Sequence, residues 1–219
     1  MAYILNIETA TKNCSVALAN DGITVLCKEF AGQGYSHAEK LHVFIKEILD
    51  ESNVDFGNLS AIAISQGPGS YTGLRIGVST AKGLCFALNI PLIAIDTLEV
   101  LAAKANVQNG IIIPMIDARR MEVYSSIFNA NLEKLRETQA EIITEASFND
   151  LTETVYFVGD CAEKCKAILN KENFVFIEEV VYPSANEMSA LSFAKHKKND
   201  IVDVAYFEPF YLKDFFMAK

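Results

Sequence analysis

The feature that most restricts the fold of this chain is a repeated pattern of short strands. Each half of the sequence opens with three segments whose apolar residues have the spacing of β-strands. The predicted strands are 3–8, 13–19 and 22–30 in the first half, and 111–117, 121–129 and 132–143 in the second. A duplicated three-strand meander predicts two related halves rather than one continuous sheet.

A shift of 109 positions aligns the two sets of strands. At this shift an acidic residue ends the first strand of each half, because Glu8 meets Asp117. The other matched pairs are Ile4 with Ile113, Ile7 with Ile116, Leu18 with Ile127, Asn20 with Asn129, and Leu26 with Leu135. We therefore expect the two acids to occupy equivalent positions in the two halves.

Helices and strands alternate after the meander. Ser36 and Glu39 have the spacing of a capping box, and apolar residues then recur at helical intervals to about Asn53. The remaining predicted elements are strand 61–65, helix 72–88, strand 91–95, helix 98–105, strand 155–159, helix 161–169, strand 174–177 and helix 186–197. This order predicts an α/β protein with two βββαβα lobes, 1–106 and 107–219, each containing a mixed sheet.

The composition of the 219 residues excludes several classes of protein. A hydrophobic content of 51% is enough for a buried core and argues against disorder. The net charge of −9 has the wrong sign for a protein that binds nucleic acid by itself. No apolar run reaches the ~18 residues of a membrane span and no leader pattern is present, so we expect a cytoplasmic protein without membrane contact. The five cysteines are scattered, which indicates reduced and mostly buried thiols.

The duplicated βββαβα order resembles the actin-like, sugar-kinase and Hsp70-type ATPase fold, whose lobes are ribonuclease H-like. In that fold the acid ending each first strand faces a cleft between the lobes, and glycine-containing turns let backbone amides approach phosphates. Glu8 and Asp117 occupy those positions, but the turns 9–13 and 118–121 contain no glycine. We therefore expect degenerate cleft acids without independent ATP hydrolysis or sugar phosphorylation.

The segment 66–77, with the sequence QGPGSYTGLRIG, joins a predicted buried strand to a helix. It is not a Walker A loop, because Leu74 follows the last turn glycine, and its GxGxxxG spacing is not a dinucleotide fingerprint. Two interpretations remain open. One is a tight turn capped by Ser70 or Thr72, and the other is a helix N-terminus that contacts an anion or a partner with the help of Arg75.

The predicted helix 72–88 is apolar on nearly every side and rich in small residues. Gly73, Gly77 and Ala81 would permit another helix to approach closely. One interpretation is a fully internal helix. The other is that a second protein chain covers it together with the helix at 36–53, its neighbour through the strand at 61–65.

Several motifs together are similar to the TsaB family, and the resemblance spans the whole chain. The most specific motif is GPGSYTGLRIG at 67–77. The others are IETATKNCSVAL at 7–18, SHAEKL at 36–41, PMIDAR at 114–119, EVY at 122–124, and the PxYLK pattern at 209–213. Glu8 departs from the family, which usually has Asp at this position.

The resemblance implies a non-catalytic subunit of the machinery that makes N6-threonylcarbamoyladenosine in tRNA. Such a subunit binds and activates a TsaD-type paralogue, which transfers the threonylcarbamoyl group to the adenosine 3′ of the anticodon, and a TsaE-like ATPase joins them. ATP or ADP would lie near the shared interface, no cofactor would be held tightly by this chain alone, and tRNA would be reached through the complex.

The predicted partner and nucleotide interface combines the Gly-rich segment with one face of the following helix. Its residues are Gly69, Ser70, Tyr71, Thr72, Arg75, Gly77 and Ala81. We expect the helices 36–53 and 72–88 to pack on the equivalent pair of the paralogue in a four-helix contact. Without the paralogue, the same face would form a homodimer, since a two-fold contact needs only one self-complementary surface.

Two enzyme classes remain as alternatives, an independent actin-like ATPase or kinase and an M22-type glycoprotease-like peptidase. The peptidase requires an HxxxH pair, but Leu41 lies four residues after His37 and the next histidine is His42. At ~100° per helical residue, side chains five residues apart point about 140° away from each other, so we expect no metal site. We interpret His37 as an exposed residue in the first helical turn. Ser70 lacks the GxSxG pattern of a serine hydrolase.

The C-terminal segment 206–216 concentrates six aromatic residues, and Pro209 prevents a continuous helix through it. Two interpretations remain open for this segment. It packs along its own domain, or it docks a partner.

Overall fold

The computed structural model describes residues 1–32 and 37–212. The first half contains the strands β1 (Tyr3–Glu8), β2 (Asn13–Asn20), β3 (Ile23–Ala31), β4 (Leu59–Gly67) and β5 (Leu92–Asp96), with the helices α1 (His37–Ser52), α2 (Tyr71–Leu88) and α3 (Thr97–Ala105). The second half contains β6 (Ile111–Asp117), β7 (Glu122–Asn129), β8 (Lys134–Ile142), β9 (Val155–Val158) and β10 (Phe174–Phe176), with α4 (Ala162–Lys166) and α5 (Ala185–Lys197). Every element predicted from the sequence is present. The predicted cap at Ser36 lies outside the described residues.

The ten strands form two five-stranded mixed sheets of identical topology. The first sheet has the order β3-β2-β1-β4-β5, and the second has the equivalent order β8-β7-β6-β9-β10. In each sheet the first three strands are antiparallel and the last two are parallel to the central strand. This arrangement confirms the predicted duplicated α/β fold with ribonuclease H-like lobes.

Helices cover both faces of the first sheet. Its outer face lies under α1 and α2, which bury residues such as Leu41, Ile45 and Val78 against Leu5 and Ile7. The inner face is covered mainly by α5, a helix from the second half of the chain. The buried residues of this inner core are Ile4, Ala17, Ala61, Ala63, Ile93, Ile95, Val100, Ala185 and Met188. The alternation of inner and outer residues along β1 is the ordinary two-residue period of a strand.

The helix α3 likewise packs on the sheet of the other half of the chain. It belongs to the first half by sequence, but Leu98, Leu101 and Ala102 pack on the inner face of the second sheet against Ile112 and Phe128. The outer face of that sheet is covered by α4 and by the loop after β8. Because α3 and α5 both lie between the two sheets, the halves are interlocked. The division at residues 106 and 107 therefore remains a prediction about the sequence repeat.

The single shift of 109 positions is wrong for the first strand of the repeat. Glu8 pairs with Ser15 but Asp117 pairs with Val123, so the second hairpin encloses one residue fewer. Ile4 contacts the inner core whereas Ile113 contacts the outer one. A slip of one residue moves a strand's side chains to the opposite face. In β1 and β6 the true shift is one position shorter, so Glu8 and Asp117 are not equivalent.

The second strand keeps the predicted alignment. Leu18 and Ile127, which are matched at a shift of 109, both pack on the outer face of their own sheet. The extra residue of the first half therefore lies in the turn between β1 and β2.

The described part of the second lobe has no counterpart of α1, so its element order is ββββαβα and not the predicted βββαβα. Residues 143–154, all of which the structure describes, form turns between β8 and β9 instead of a helix. Phe148 fills part of this space, with its ring centroid 5.7 Å from that of Phe157 in the outer core. The outer face of the second sheet is consequently covered by one short helix and a loop.

The segment after α5 packs along the first lobe. Val202 forms an isolated antiparallel bridge with Leu92, and Phe207 packs against the outer core. Lys82 of α2 donates hydrogen bonds to the carbonyl oxygens of Ala205 and Phe207, at 3.1 and 2.9 Å. The described part of the tail, up to residue 212, therefore packs on the chain's own first lobe.

The five cysteines are free thiols, of which Cys27 is partly exposed and the others are buried. This confirms the expectation of mostly buried cysteines. In the described ranges 1–32 and 37–212, no helix is both long and apolar enough to cross a membrane.

Candidate functional site at the start of the second helix

The Gly-rich segment forms the turn between β4 and α2. Gly67 ends β4, and Ser70 takes an extended conformation immediately before the first helical residue, Tyr71. The Ser70 hydroxyl accepts a hydrogen bond from the backbone N–H of Gly73 at 3.3 Å. This contact satisfies one of the free amides of the first helical turn. Of the two predicted capping residues, the structure identifies Ser70.

Three glycines in this region make room for the turn that follows β1. A Cβ atom added to Gly69 would lie 2.3 Å from the Ala10 carbonyl oxygen, and one added to Gly73 would lie 2.1 Å from the Thr9 carbonyl oxygen. At Gly77 the added atom would lie 2.2 Å from the Thr9 hydroxyl oxygen. Gly69 precedes α2, and the spacing of four residues places Gly73 and Gly77 along one side of the helix. Their role is close packing within the chain.

Hydrogen bonds fasten the same turn to the helix. The Thr9 hydroxyl donates to the carbonyl oxygen of Gly73 at 2.8 Å, and the backbone N–H of Ser70 donates to the carbonyl oxygen of Ala10 at 2.6 Å. The turn after β1 is therefore packed against the start of the chain's own second helix.

Glu8 lies beneath this turn and is completely buried. Its Oε1 atom accepts a hydrogen bond of 2.5 Å from the backbone N–H of Ala10. Burial raises the pKa of Glu8 to about 7, because a carboxylate loses its hydration there, although the contact with Ala10 works in the opposite direction. The expectation that Glu8 faces an open cleft is therefore wrong.

His37 is also buried, with 1% of its surface exposed, which contradicts its interpretation as an exposed residue. Its Nε2 atom lies 2.8 Å from the carbonyl oxygen of Thr11, so the first residue of α1 is tied to the same turn. Burial lowers the pKa of His37 because it disfavours the charged ring. His42 lies on the exposed side of α1, so the two rings do not converge.

Asp117 has a different environment in the second lobe. Its side chain is 46% exposed and forms an ion pair with Lys164 of α4. Its backbone N–H donates to Asp160 at 2.9 Å, and burial raises the pKa of Asp160. Glu8 and Asp117 thus form no matched pair, and in the described ranges no three His, Cys, Asp or Glu side chains are grouped as metal ligands.

The predicted interface residues separate into two groups. Thr72 and Arg75 are exposed, and Gly69, Ser70 and Tyr71 are partly exposed. Gly77 is pressed against Thr9, and Ala81 lies in the outer core, so neither is available to a partner. The prediction was wrong for these two residues because the close approach they permit is made within the chain.

Arg75 is held by the C-terminal segment. Its guanidinium carbon lies 4.1 Å from the centre of the Tyr71 ring, and its Nε atom donates to the hydroxyl of Tyr211 at 3.3 Å. The rings of Tyr71 and Tyr211 are 5.1 Å apart. The backbone N–H of Phe210 donates to the carbonyl oxygen of Gln66 at 2.7 Å, so the tail also covers the Gly-rich turn.

A groove with a mainly apolar surface lies between α1 and α2. It encloses about 480 Å³, and its lining residues are His42, Ile45, Lys46, Phe56, Ser79, Thr80, Gly83 and Leu84. Phe86 stands on the same helix with 85% of its surface exposed, and Val43 of α1 is 47% exposed. We call the groove with Phe86 and Val43 the α1–α2 face.

The sequence predicts that α1 and α2 present a shared surface, but the predicted interface residues are not those that line the groove. The signal was present in α2. Gly73, Gly77 and Ala81 mark its buried side, so Gly83 and Phe86 must lie on another side.

Comparison with known proteins gives consistent matches. The family model described as TsaD, tRNA N6-adenosine threonylcarbamoyltransferase, matches residues 32–215. The tRNA threonylcarbamoyladenosine biosynthesis protein TsaB of Escherichia coli (strain K12) is 30% identical, over 96% of this chain and 94% of its own length. A tRNA N6-adenosine threonylcarbamoyltransferase of Halalkalibacterium halodurans is 36% identical over 107 residues, which are 42% of this chain and 31% of that protein. The solved structure of YeaZ from Pseudomonas aeruginosa has a TM-score of 0.85 and 25% identity, and the match covers 97% of this chain and all of that one.

Proposed function

This chain belongs to the TsaB family and takes part in tRNA threonylcarbamoyladenosine biosynthesis, and from this premise we propose that it is a non-catalytic subunit that binds and activates a TsaD-type paralogue. The paralogue would carry out transfer of the threonylcarbamoyl group to the adenosine 3′ of the anticodon. The observation that carries the proposal is the α1–α2 face, an apolar groove flanked by the exposed Phe86. Exposed apolar surface of this kind marks sites of protein association.

The similarity to TsaD-type proteins favours a paralogue as the occupant of this face. The TsaD model matches a range that begins before α1 and extends beyond α5. A partner with the same fold would present its own pair of helices at the equivalent place. Two such pairs can meet about a pseudo-two-fold axis in a four-helix contact. In the isolated chain the same face would pair with itself as a homodimer.

We base the proposed lack of catalysis on the environments of Glu8 and Asp117. Glu8 is buried under its own turn, and Asp117 is engaged by Lys164, so neither offers a free carboxylate to a magnesium ion or a nucleophile. An independent ATPase or kinase, or an M22-type peptidase, would need such a group or a pair of converging histidines. ATP, peptide and phosphoryl-acceptor turnover by the isolated chain should be absent. Turnover abolished by Glu8→Gln or Asp117→Asn would contradict the proposal.

The proposal places nucleotide beside the α1–α2 face, near the start of α2. Thr72 and Arg75 are exposed on the first turn of α2, so ATP or ADP held by the complex would meet this chain there. A TsaE-like ATPase would join the assembly, and tRNA would be recruited by the whole complex.

The partner surface can be tested with two variants that leave the core untouched. A side chain added at Gly83 meets no atom within 4 Å, so Gly83→Arg should fold normally while filling the groove. Phe86→Asp removes the most exposed apolar ring of α2. Either change should weaken binding of the TsaD-type protein by about 30-fold or more, the usual effect at the centre of an interface. Binding is measured by calorimetry with the co-expressed paralogue.

Ile23→Asp is the matched control, because Ile23 is 76% exposed on the edge strand β3 and lies outside the α1–α2 face. It should bind like the wild type. If both groove variants keep full affinity, the partner binds elsewhere and the α1–α2 face has another purpose.

A further inference from the structure

The hairpin turn between β6 and β7 has an unusual backbone for its sequence. Arg119 and Arg120 both take positive φ angles, 76° and 56°. A residue with a Cβ atom in the left-handed region costs about 1 to 2 kcal/mol. Glycine and asparagine adopt such φ angles far more readily than arginine does. Two arginines at this place favour a function for their side chains over a contribution to folding.

The turn is nevertheless held firmly. The backbone N–H of Arg119 donates to Asp117 at 3.0 Å, and the ammonium group of Lys164 donates to the carbonyl oxygen of Arg120 at 3.0 Å. The backbone N–H of Ala118 donates to the carbonyl oxygen of Glu122 at 3.1 Å. The two arginines therefore project from a fixed support.

The charges of Arg119 and Arg120 are not paired by any residue that the structure describes. The carboxylate of Asp117 is paired with Lys164, and among the described residues neither guanidinium has a hydrogen-bond or ion-pair partner. Both arginines are exposed. In a protein with a net charge of −9, two adjacent free guanidinium groups on one rigid tip are a strong local exception.

A third cation belongs to the same area. Lys12 is exposed in the turn after β1, and its charge acts on Asp160, the residue that accepts the backbone N–H of Asp117. The exposed end of the first-lobe turn thus lies near the second-lobe turn. Positive charge is contributed from both lobes.

From this arrangement we propose that Arg119 and Arg120 bind phosphate groups of an RNA backbone while the chain is part of its complex. The inference rests on the proposed function, which supplies tRNA as the RNA. Guanidinium groups match phosphate geometry through paired hydrogen bonds. The arginines stand on an open tip and not in a cavity, which suits an extended polyanion better than a small nucleotide that needs enclosure.

The proposal agrees with the expectation that the chain does not bind nucleic acid unaided. Two or three phosphate contacts give weak affinity by themselves, and they add to the affinity of a complex whose other subunits supply more contacts. The hairpin would orient the tRNA relative to the catalytic paralogue.

The decisive variant replaces the arginines with the pair that the backbone prefers. Arg119→Asn combined with Arg120→Gly removes both charges and should raise or maintain the melting temperature, because Asn-Gly relieves the left-handed strain. In the complex with the TsaD-type protein, tRNA affinity at low salt should fall by about tenfold. The slope of log affinity against log salt should decrease by about 2, or about 1 for each contact.

Lys197→Ala combined with Lys198→Ala is the matched control. This change removes the same charge from an exposed pair at the end of α5. It should leave both the affinity and the salt slope near wild-type values. An equal loss of tRNA affinity in both double variants would show that only net charge matters, and it would overturn the proposal. Unchanged tRNA binding by the Asn-Gly variant would also overturn it.

A second measurement locates the contact within the complex. Amide NMR signals of the isotope-labelled chain, bound to the unlabelled TsaD-type protein, are followed while an anticodon stem-loop RNA is added, and in a separate titration while ATP is added. RNA should shift the signals of residues 118–122 and leave those of 197–199 in place. Absence of a shift, or a shift with ATP alone, would overturn the RNA assignment. Failure of the wild-type chain to bind the paralogue would instead count against the proposed function.

Discussion

The turn after the first strand has opposite environments in the two lobes, although their sheets have the same strand order. In the first lobe, Thr9 and Ala10 are buried beneath the N-terminal part of α2 and fit against Gly69, Gly73 and Gly77. In the second lobe, Arg119 and Arg120 form an exposed tip supported by a surface ion pair. The first-lobe turn is packed in the core, whereas the second-lobe turn is exposed at the surface.

The reason for this difference lies in the elements that surround each turn. The first lobe has α1 and a long α2 of 18 residues, whose starts both meet the turn. The second lobe has no helix at the position of α1, and α4 is only five residues long. A turn stays on the surface when no neighbouring helix is long enough to cover it.

The contrast is most strongly tested by two glycines of the same helix. Gly73→Ala places a methyl group against the backbone of Thr9 and should destabilise the protein by about 2 to 3 kcal/mol. Gly83→Ala meets open space and should stabilise it by up to about 1 kcal/mol, because alanine is the better helix former. Urea unfolding measures both free energies. A similar result for the two variants would mean that the first turn does not press on α2.

The buried acid of the first lobe gives the next largest effect. Since the pKa of Glu8 is raised from 4.5 to about 7 in the folded protein, the folded state holds its proton more tightly than the unfolded state. Stability from this group is complete below pH 4.5, declines as the pH rises towards 7, and does not return above it. Between pH 5 and pH 8 the loss should be roughly 2 to 3 kcal/mol.

Glu8→Gln should remove most of this pH dependence and be more stable than the wild type at pH 8. The comparison variant is Asp117→Asn, which changes an exposed carboxylate of the second lobe and leaves Glu8 in place, so the pH dependence that Glu8 causes should remain. Denaturant unfolding at several pH values provides the measurement. A wild-type profile in the Glu8→Gln protein would show that Glu8 is ionised when folded.

The smallest effect is expected at the support of the second turn. Lys164→Met breaks a partly exposed ion pair and one hydrogen bond to the backbone, so it should cost about 0.5 to 1 kcal/mol. Lys166→Met, on the same short helix, breaks the more exposed pair with Glu178 and should cost less. Thermal unfolding of both variants provides the test. A loss above about 2 kcal/mol at Lys164 would make the second turn as important to stability as the first.

The candidate site was only partly accessible from the sequence. The motif at 67–77 predicted the turn before α2 and its Ser70 cap, and Thr72 and Arg75 are exposed there, while their role in an interface stays a prediction. The inward direction of Gly77 and Ala81 does not follow from local spacing, because a small residue permits close approach without indicating which element approaches. His37 is similar. Its position at the start of a helix is local information, but its burial depends on Thr11.

The sequence by itself determined the elements, their order, the duplication and the family. Strand and helix periods are local properties of the chain, with repeats of about 2 and 3.6 residues, and they can be recognised without knowing what each element packs against. Only the tertiary structure decided that α3 and α5 each pack on the sheet of the other half and that Glu8 is buried while Asp117 is exposed. It also decided that the two arginines of the second turn find no partner among residues 1–32 and 37–212. Each of these depends on contacts between residues distant in sequence. A one-residue difference in a turn was enough to place the two acids on opposite faces of their sheets.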